Sequence, residues 1–273
     1  MHPTGDVCRN IRQIGLVKLT IFLILSYQIV EATEYCSLCE DHVACRNYGD
    51  YGETCPDDRA FVEFDDFQKE YIVRLHNRMR NKIALGEVRK FNTASKMRAL
   101  QWNDELAYLA ELNVRSCVYS KDECRATSKY RDAGQNIARR GVSATYYEPT
   151  MHAVTTMIMD WFLEYRNADM SYIDSFRHHS KGKYIGDFTV MVNDKNTVVG
   201  CAMMRYAEDD YKYRHLVCNY GYTNIVGNQV YESGSPASRC RERHGTYEGL
   251  CATNSTSNGS YANPSKMYIR VMF

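Results

Sequence analysis

The sequence predicts an α+β domain, with helices packed against a small, mostly antiparallel sheet. Two observations carry that expectation, and a third bears on the compartment. Four stretches before residue 195 place apolar side chains at helical spacing. Two later stretches, Thr197 to Tyr206 ("TVVGCAMMRY") and His215 to Tyr222 ("HLVCNYGY"), are apolar and separated by the charged turn "AEDDYKYR", the pattern of a hairpin. The chain also carries 11 cysteines in 273 residues, too many for an ordinary cytosolic domain.

At the N-terminus, Arg9, Arg12 and Lys18 precede the apolar run Leu19 to Val30, which is too short for a comfortable transmembrane span. Ser26 and Gln28 interrupt it, and it ends in Val30-Glu31-Ala32, a small-residue pattern suited to signal peptidase. Residues 1–32 are therefore read as a signal peptide rather than an uncleaved anchor, and the protein as secreted and extracellular. Their removal takes three basic and two acidic residues from totals of 34 and 33, leaving a formally neutral chain. That balance, and the net charge of +1 before cleavage, give no indication of a nucleic-acid or polyanion partner. No other stretch is long and apolar enough to span a bilayer, and a monomer is expected.

Cys8 falls in the removed segment, so ten cysteines remain, an even count that in an exported chain reads as disulfides. The segment "CSLCEDHVAC" packs three cysteines and His42 into ten residues and admits a zinc reading, but an oxidising compartment and the lack of a second closely spaced ligand pair favour disulfides. Residues 33–60 form a cysteine-rich lead without sustained periodicity. The first helix starts at Asp65, with Gln68 completing a capping box; Phe67, Tyr71, Leu75, Met79 and Ile83 form its inner stripe and Gly86 its stop. A second helix spans about Asn103 to Ser116, with Leu106, Leu109, Ala110 and Val114 inward. The following stretch to Arg140 is polar and reads as loop. A third helix covers about Glu148 to Tyr165, and a fourth lies in Tyr184 to Asp194. In this last helix Tyr184, Ile185, Phe188, Met191 and Val192 make an apolar stripe, and Asp187 sits about 40° beyond its edge, where a carboxylate is half buried or faces a cleft. Cys201 and Cys218 fall one in each strand of the hairpin. The core domain is taken as residues 61–232 and residues 233–273 as a polar C-terminal tail, with Asn254 and Asn258 as N-glycosylation acceptors and "YIRVMF" as a terminal strand candidate.

Taken in order, "LHNRMRNKIALG", "ALQWNDELAYLAELNVRSC", "GQNIA", "IGDFTVMV" with "VVGCAM", and "CNYGYTNIVGNQVY" resemble the CAP superfamily of cysteine-rich secretory proteins, antigen-5 venom allergens and pathogenesis-related proteins. The cysteine-rich lead and the "CNY…TN…G" ending are most similar to the insect antigen-5 branch. The resemblance covers about residues 35 to 232 and implies an α-β-α sandwich. It also implies the pairs Cys36–Cys45, Cys39–Cys124, Cys55–Cys117 and Cys201–Cys218, which leaves Cys240–Cys251 within the tail.

Many CAP proteins line a central cleft with two histidines, which can hold a divalent metal, and two glutamates. By position, the first histidine is Lys121 here, the first glutamate is Gln135, the second glutamate is retained as Glu164, and the second histidine is Asp187. Val190 and Asn193 stand where the family has glutamine and often tryptophan. An ammonium is a poor ligand and would oppose a cation bound by the two carboxylates, so no zinc, and no other cofactor, is expected in this degenerate cleft. The substitutions suggest instead a salt bridge from Lys121 to Asp187, Glu164 or both; solvated charges in an open cleft are the alternative. His76-Asn77 reads as structural, His178-His179 in "FRHHSKGK" as a solvated basic loop, and His215 as a strand residue. There is no GxSxG elbow, every mature cysteine has a disulfide partner, and both histidines that could act as general base are gone, so no catalytic residue is assigned. The resemblance thus implies a non-enzymatic extracellular binding protein for an unknown receptor. The rival readings are a sterol or lipid binder and, less favoured, an extracellular hydrolase.

Overall fold

A computed structural model describes residues 34–179 and 181–253. Residues 1–32, read as a signal peptide, and Asn254, Asn258 and "YIRVMF" lie outside the described residues. In chain order the elements are β1 (Ala60–Val62), α1 (Asp66–Ala84), β2 (Gln101–Trp102), α2 (Asp104–Arg115), β3 (Gly134–Ser143), α3 (Thr150–Leu163) with a 3₁₀ turn (Glu164–Asn167), α4 (Met170–Asp174), α5 (Gly186–Met191), β4 (Val198–Glu208) and β5 (Tyr211–Tyr220).

The hairpin β4–β5 is the centre of the sheet. β4 pairs antiparallel with β5 on one edge; on the other it meets β1 antiparallel and β2 parallel, while β3 pairs antiparallel with β5. Side chains alternate across the sheet as strand geometry requires. Val199, Cys201, Met203, Leu216, Cys218 and Tyr220 face the large core built by α1, α3 and α5. Ala202, Met204, Tyr206 and Val217 face α2 through Ala110 and Val114. Two helical layers therefore enclose one sheet. Gly200 lets α2 approach: a Cβ there would lie 2.3 Å from the backbone of Ala107 and Asn103.

The capping box of α1 forms as read. Asp65 accepts the Gln68 N–H at 2.8 Å, and the Gln68 side chain accepts the Asp65 N–H at 3.0 Å. Gly86 ends the helix at a φ of 73°. The inner stripe is shifted from expectation: Phe67 is exposed beneath the Arg74 guanidinium, and Ile72 and His76 are buried instead, because the first turn of α1 projects beyond the core. Four further differences concern the sheet and its flanks. Residues 134–140, read as loop, belong to β3 (Gly134–Ser143); its exposed outer half looks polar, and the partner that orders it, β5, lies far along the chain. Most of the charged turn is strand, leaving Asp209 and Asp210 between β4 and β5. α3 begins at Thr150, so Glu148 precedes it, buried between Arg140 at 2.8 Å and Arg214 at 3.1 Å. α5 has six residues, and Tyr184 lies outside it, 80% exposed rather than in the apolar stripe.

Beneath the sheet's cleft-side end, Arg80 of α1 is fully buried. Its guanidinium donates to the carbonyls of Met191, Asn193, Asn196 and Arg98, at distances from 2.6 to 3.3 Å. It thereby satisfies the orphan carbonyls that follow α5. Burial pushes its pKa down to about 9, against the opposing pull of Asp194.

The cysteines pair as Cys36–Cys45, Cys39–Cys124, Cys55–Cys117, Cys201–Cys218 and Cys240–Cys251. Cys39, His42 and Cys124 do cluster, but the two sulfurs are bonded to each other. Both His42 nitrogens are engaged, by the Ala126 carbonyl at 2.7 Å and the Ala44 N–H at 3.0 Å. Neither sulfur is a thiolate, so the zinc reading of the lead finds no ligand set. The segment after Glu232 packs onto the domain: Leu250 is buried, the Gly249 N–H donates to Asn81 at 2.8 Å, and Cys251 exchanges backbone bonds with Met97 and Ala99.

Candidate functional site

Lys121, Gln135, Glu164 and Asp187 come from four different segments and line one open cleft of about 430 Å³. The disulfides Cys55–Cys117 and Cys39–Cys124 bracket the loop that carries Lys121. Asp187 lies in the first turn of α5, Glu164 closes α3, and Gln135 lies on β3 beside the hairpin.

The Lys121 ammonium lies 3.0 Å from Asp187 Oδ1 and so ties the loop to α5. Burial raises the Asp187 pKa, and the lysine counters the rise. Glu164 takes no part in that pair. One of its oxygens accepts the N–H groups of Asp187 at 2.9 Å and Phe188 at 3.1 Å, capping the first turn of α5. Burial first, then the neighbouring Asp187, push the Glu164 pKa up to about 7; the two amides and Lys121 pull the other way. Each carboxylate is thus already committed within the protein.

Gln135 shows why an amide suits its position. Its Oε1 accepts the Asp122 N–H at 2.9 Å, and its Nε2 donates to Asp122 Oδ2 at 2.6 Å and to Asn219 Oδ1 at 3.0 Å. Asn113 holds the other Asp122 oxygen at 2.6 Å. A glutamate in place of Gln135 would set two buried carboxylates face to face, and burial already raises the Asp122 pKa. Asp122 escaped sequence reasoning; its place between Cys117 and Cys124, beside Lys121, was the available signal.

Behind the cleft wall, Asn136 donates to the Asp187 carbonyl at 3.1 Å and to the Tyr220 hydroxyl at 3.3 Å. Tyr220 in turn meets His76 Nε2 at 2.9 Å, while His76 Nδ1 is held by the Ile72 carbonyl at 2.8 Å. The second contact assigns the proton to Nδ1, so Tyr220 donates to Nε2. Burial lowers the His76 pKa to about 4 and keeps the ring neutral. His76 and Asn77 are buried bracing, as is His215, whose pKa burial also lowers to about 4. His178 and His179, read as a solvated loop, also line this cleft. Val190 is buried in the cleft floor, and Asn193 supplies one of the carbonyls that Arg80 holds.

As a metal site the donor set does not fit: it comprises an ammonium, an amide and two carboxylates, one facing the ammonium and one capping a helix. The described residues contain no helix long and apolar enough to cross a membrane.

The profile of the Cysteine-rich secretory protein family (CAP) matches residues 73–220. "Antigen 5 like allergen Cul n 1" of Culicoides nubeculosus is 40% identical over 210 residues, covering 71% of this chain and 94% of that protein. "Venom allergen-1" of Aedes albopictus is 35% identical over 246 residues, covering 87% and 92%. Among solved structures, one described as NaASP2 with Zn²⁺ superposes with a TM-score of 0.55 over 72% of this chain and 99% of its own, at 22% identity, a likeness of fold.

Proposed function

The chain belongs to the CAP family of cysteine-rich secretory proteins, in its antigen-5-like branch, and we propose that it is a non-enzymatic extracellular binding protein whose family metal site has been replaced by an internal ion pair. The observation that carries this reading is the 3.0 Å contact between Lys121 and Asp187. Those are the two positions where the resemblance expects imidazoles. The lysine supplies the positive charge that a cation would have brought, and it has no lone pair to offer a metal while protonated. Asp187 then balances the ammonium rather than a metal.

Hydrolysis finds no support in the same geometry. Both imidazoles are missing, and Glu164 is spent on two backbone amides. Burial gives its carboxyl a suitable pKa for general acid–base work, but no nucleophile stands beside it among its hydrogen-bond partners. Secretion is supported by the N-terminal apolar run with its small-residue end and by ten cysteines joined in five pairs.

Isothermal titration with zinc at pH 7.5 tests the proposal. The native protein should give no saturable heat. The double variant Lys121→His/Asp187→His should acquire a zinc site, because the two side chains already face each other across the cleft. A saturable zinc site in the native protein that disappears in Asp187→Asn overturns the reading.

A further inference from the structure

We propose that the cleft binds a small phosphate or sulfate ester, its oxyanion held by the wall that carries His178, His179 and Lys183 and its organic part lying against Tyr184. This inference rests on the metal-free reading of the same cleft. It begins from the local charge balance, which the neutral whole chain conceals. Lys121 is offset by Asp187 at 3.0 Å, and Arg125 by Asp122 at 3.6 Å. Glu164 also lines the cleft, but one of its oxygens is held by the α5 amides and burial raises its pKa to about 7, which halves its charge at neutral pH. What remains without a carboxylate partner among the described residues is Lys183 and the two imidazoles, all on one wall.

That wall is ordered by its own contacts. The His179 ring stacks on Tyr172 at 5.4 Å, and His178 meets Phe176 edge-on at 5.7 Å. The Arg177 guanidinium lies 4.2 Å from the Tyr172 ring and donates to Ser171 of α4, anchoring the segment from behind. His179 Nδ1 accepts the Lys181 N–H at 3.1 Å, so in the neutral ring Nε2 carries the proton. That N–H has no acceptor among the described residues and is a ready donor. A fixed ring donor on His179, with a second imidazole and an ammonium that has no carboxylate contact on the same segment, is chemistry that recognises a tetrahedral oxyanion.

The rest of the cleft suits a small organic body. Phe176, Ile185 and Val190 supply an apolar floor, and Tyr184 stands at the rim, 80% exposed and free to stack. A volume of about 430 Å³ lies within the usual range for small-molecule sites and is too confined for a folded partner.

The experiment is calorimetric titration of the full mature protein with phenyl phosphate, phenyl sulfate, inorganic phosphate and phenol in parallel, with the His178 and His179 ring resonances followed by NMR. Phenyl phosphate or phenyl sulfate should bind saturably and one-to-one, more tightly than inorganic phosphate or phenol, shift both ring resonances, and weaken as salt is raised. The stronger of the two esters identifies the oxyanion. Lys183→Ala and the pair His178→Asn/His179→Asn should each weaken binding about tenfold or more. These side chains lie on an exposed loop, so the variants should fold normally, which thermal melting will check. Absence of saturable binding, equal binding of phenol, or binding unchanged in the variants overturns the inference. The zinc titration is a separate readout: a native zinc site brings down the metal-free reading, whereas failure of the esters alone removes this ligand and leaves that reading standing.

Discussion

Two cations in this protein face clusters of oxygen atoms, and their surroundings make them opposites. Arg80 is sealed beneath α5 and bonded to four backbone carbonyls. Lys121 is half exposed at the cleft mouth and meets one carboxylate. A buried guanidinium that satisfies otherwise orphaned carbonyls cannot be removed without leaving those carbonyls dry and unpaired. A half-exposed ion pair gains little over its hydrated parts, because solvent screens it and two side chains must be held in register. The first is architecture, whereas the second can be exchanged without loss of the fold. The contrast locates the freedom of this scaffold: cleft chemistry can change over a fixed support.

Substitutions ranked by expected effect press on that contrast. Arg80→Met should cost about 4 kcal/mol or prevent folding altogether, with Arg80→Lys recovering part of the loss; urea unfolding of whatever is secreted measures it. A loss below about 1 kcal/mol would erase the distinction between the two cations.

Glu164 comes next. Its folded pKa of about 7 lies above the usual carboxyl value near 4.5, so between those pH values the folded state holds a proton that the unfolded state has released. Its contribution therefore favours folding at low pH and is lost as pH rises from 4.5 to 7. Glu164→Gln keeps an oxygen for the α5 amides and removes the buried charge. It should be nearly neutral at about pH 4.5 and stabilising by about 2 kcal/mol at about pH 8, read from denaturant midpoints across that range. His76 and His215 act in the opposite sense: burial holds both near 4, so their contribution is complete above 6.5 and lost as pH falls toward 4.

Gln135→Glu should destabilise by about 1–2 kcal/mol at neutral pH and raise the apparent pKa of Asp122, because two buried carboxyl groups would share one site and titrate as a pair. NMR titration of the side-chain carboxyl carbons reads it directly. The smallest change is expected for Lys121→Met, about 0.5–1 kcal/mol, with the Asp187 pKa rising further once its counter-charge is gone. If Lys121→Met proved as damaging as Arg80→Met, the cleft pair would belong with the architecture.

The sequence made the helices legible where local chemistry fixes them: the Asp65–Gln68 box, Gly86, and the inward set of α2 are all decided within a few residues. The segments that carry the family resemblance were recognisable by their order. What stayed hidden depends on distant partners. β3 looks like loop because its outer half is polar and its register comes from β5. Arg80 is one charged residue among several on α1, and nothing nearby in the chain announces that it reaches the end of α5. Asp122 looked like any loop acid until Gln135 was seen to hold it. His178, His179 and Lys183 read as solvated in one dimension and line the cleft in three.

The disulfides divide the chain in a way that the fold alone does not reveal. Three bonds knit residues 36–124 together, one closes the hairpin, and one closes the tail. None crosses the stretch between Cys124 and Cys201, which contains the exposed basic loop. A single peptide cut in that loop would leave two covalently independent fragments. The C-terminal one supplies β4 and β5, which lie between β1 and β2 on one side and β3 on the other. Sheet hydrogen bonds and core packing would hold such a nicked molecule together until it was denatured, when two bands would separate on a gel without reductant. A cut between Cys55 and Cys117 would release nothing. Among the five disulfides, none guards the backbone between Cys124 and Cys201, so that stretch alone joins the part of the chain that carries the first three to the part that carries the last two.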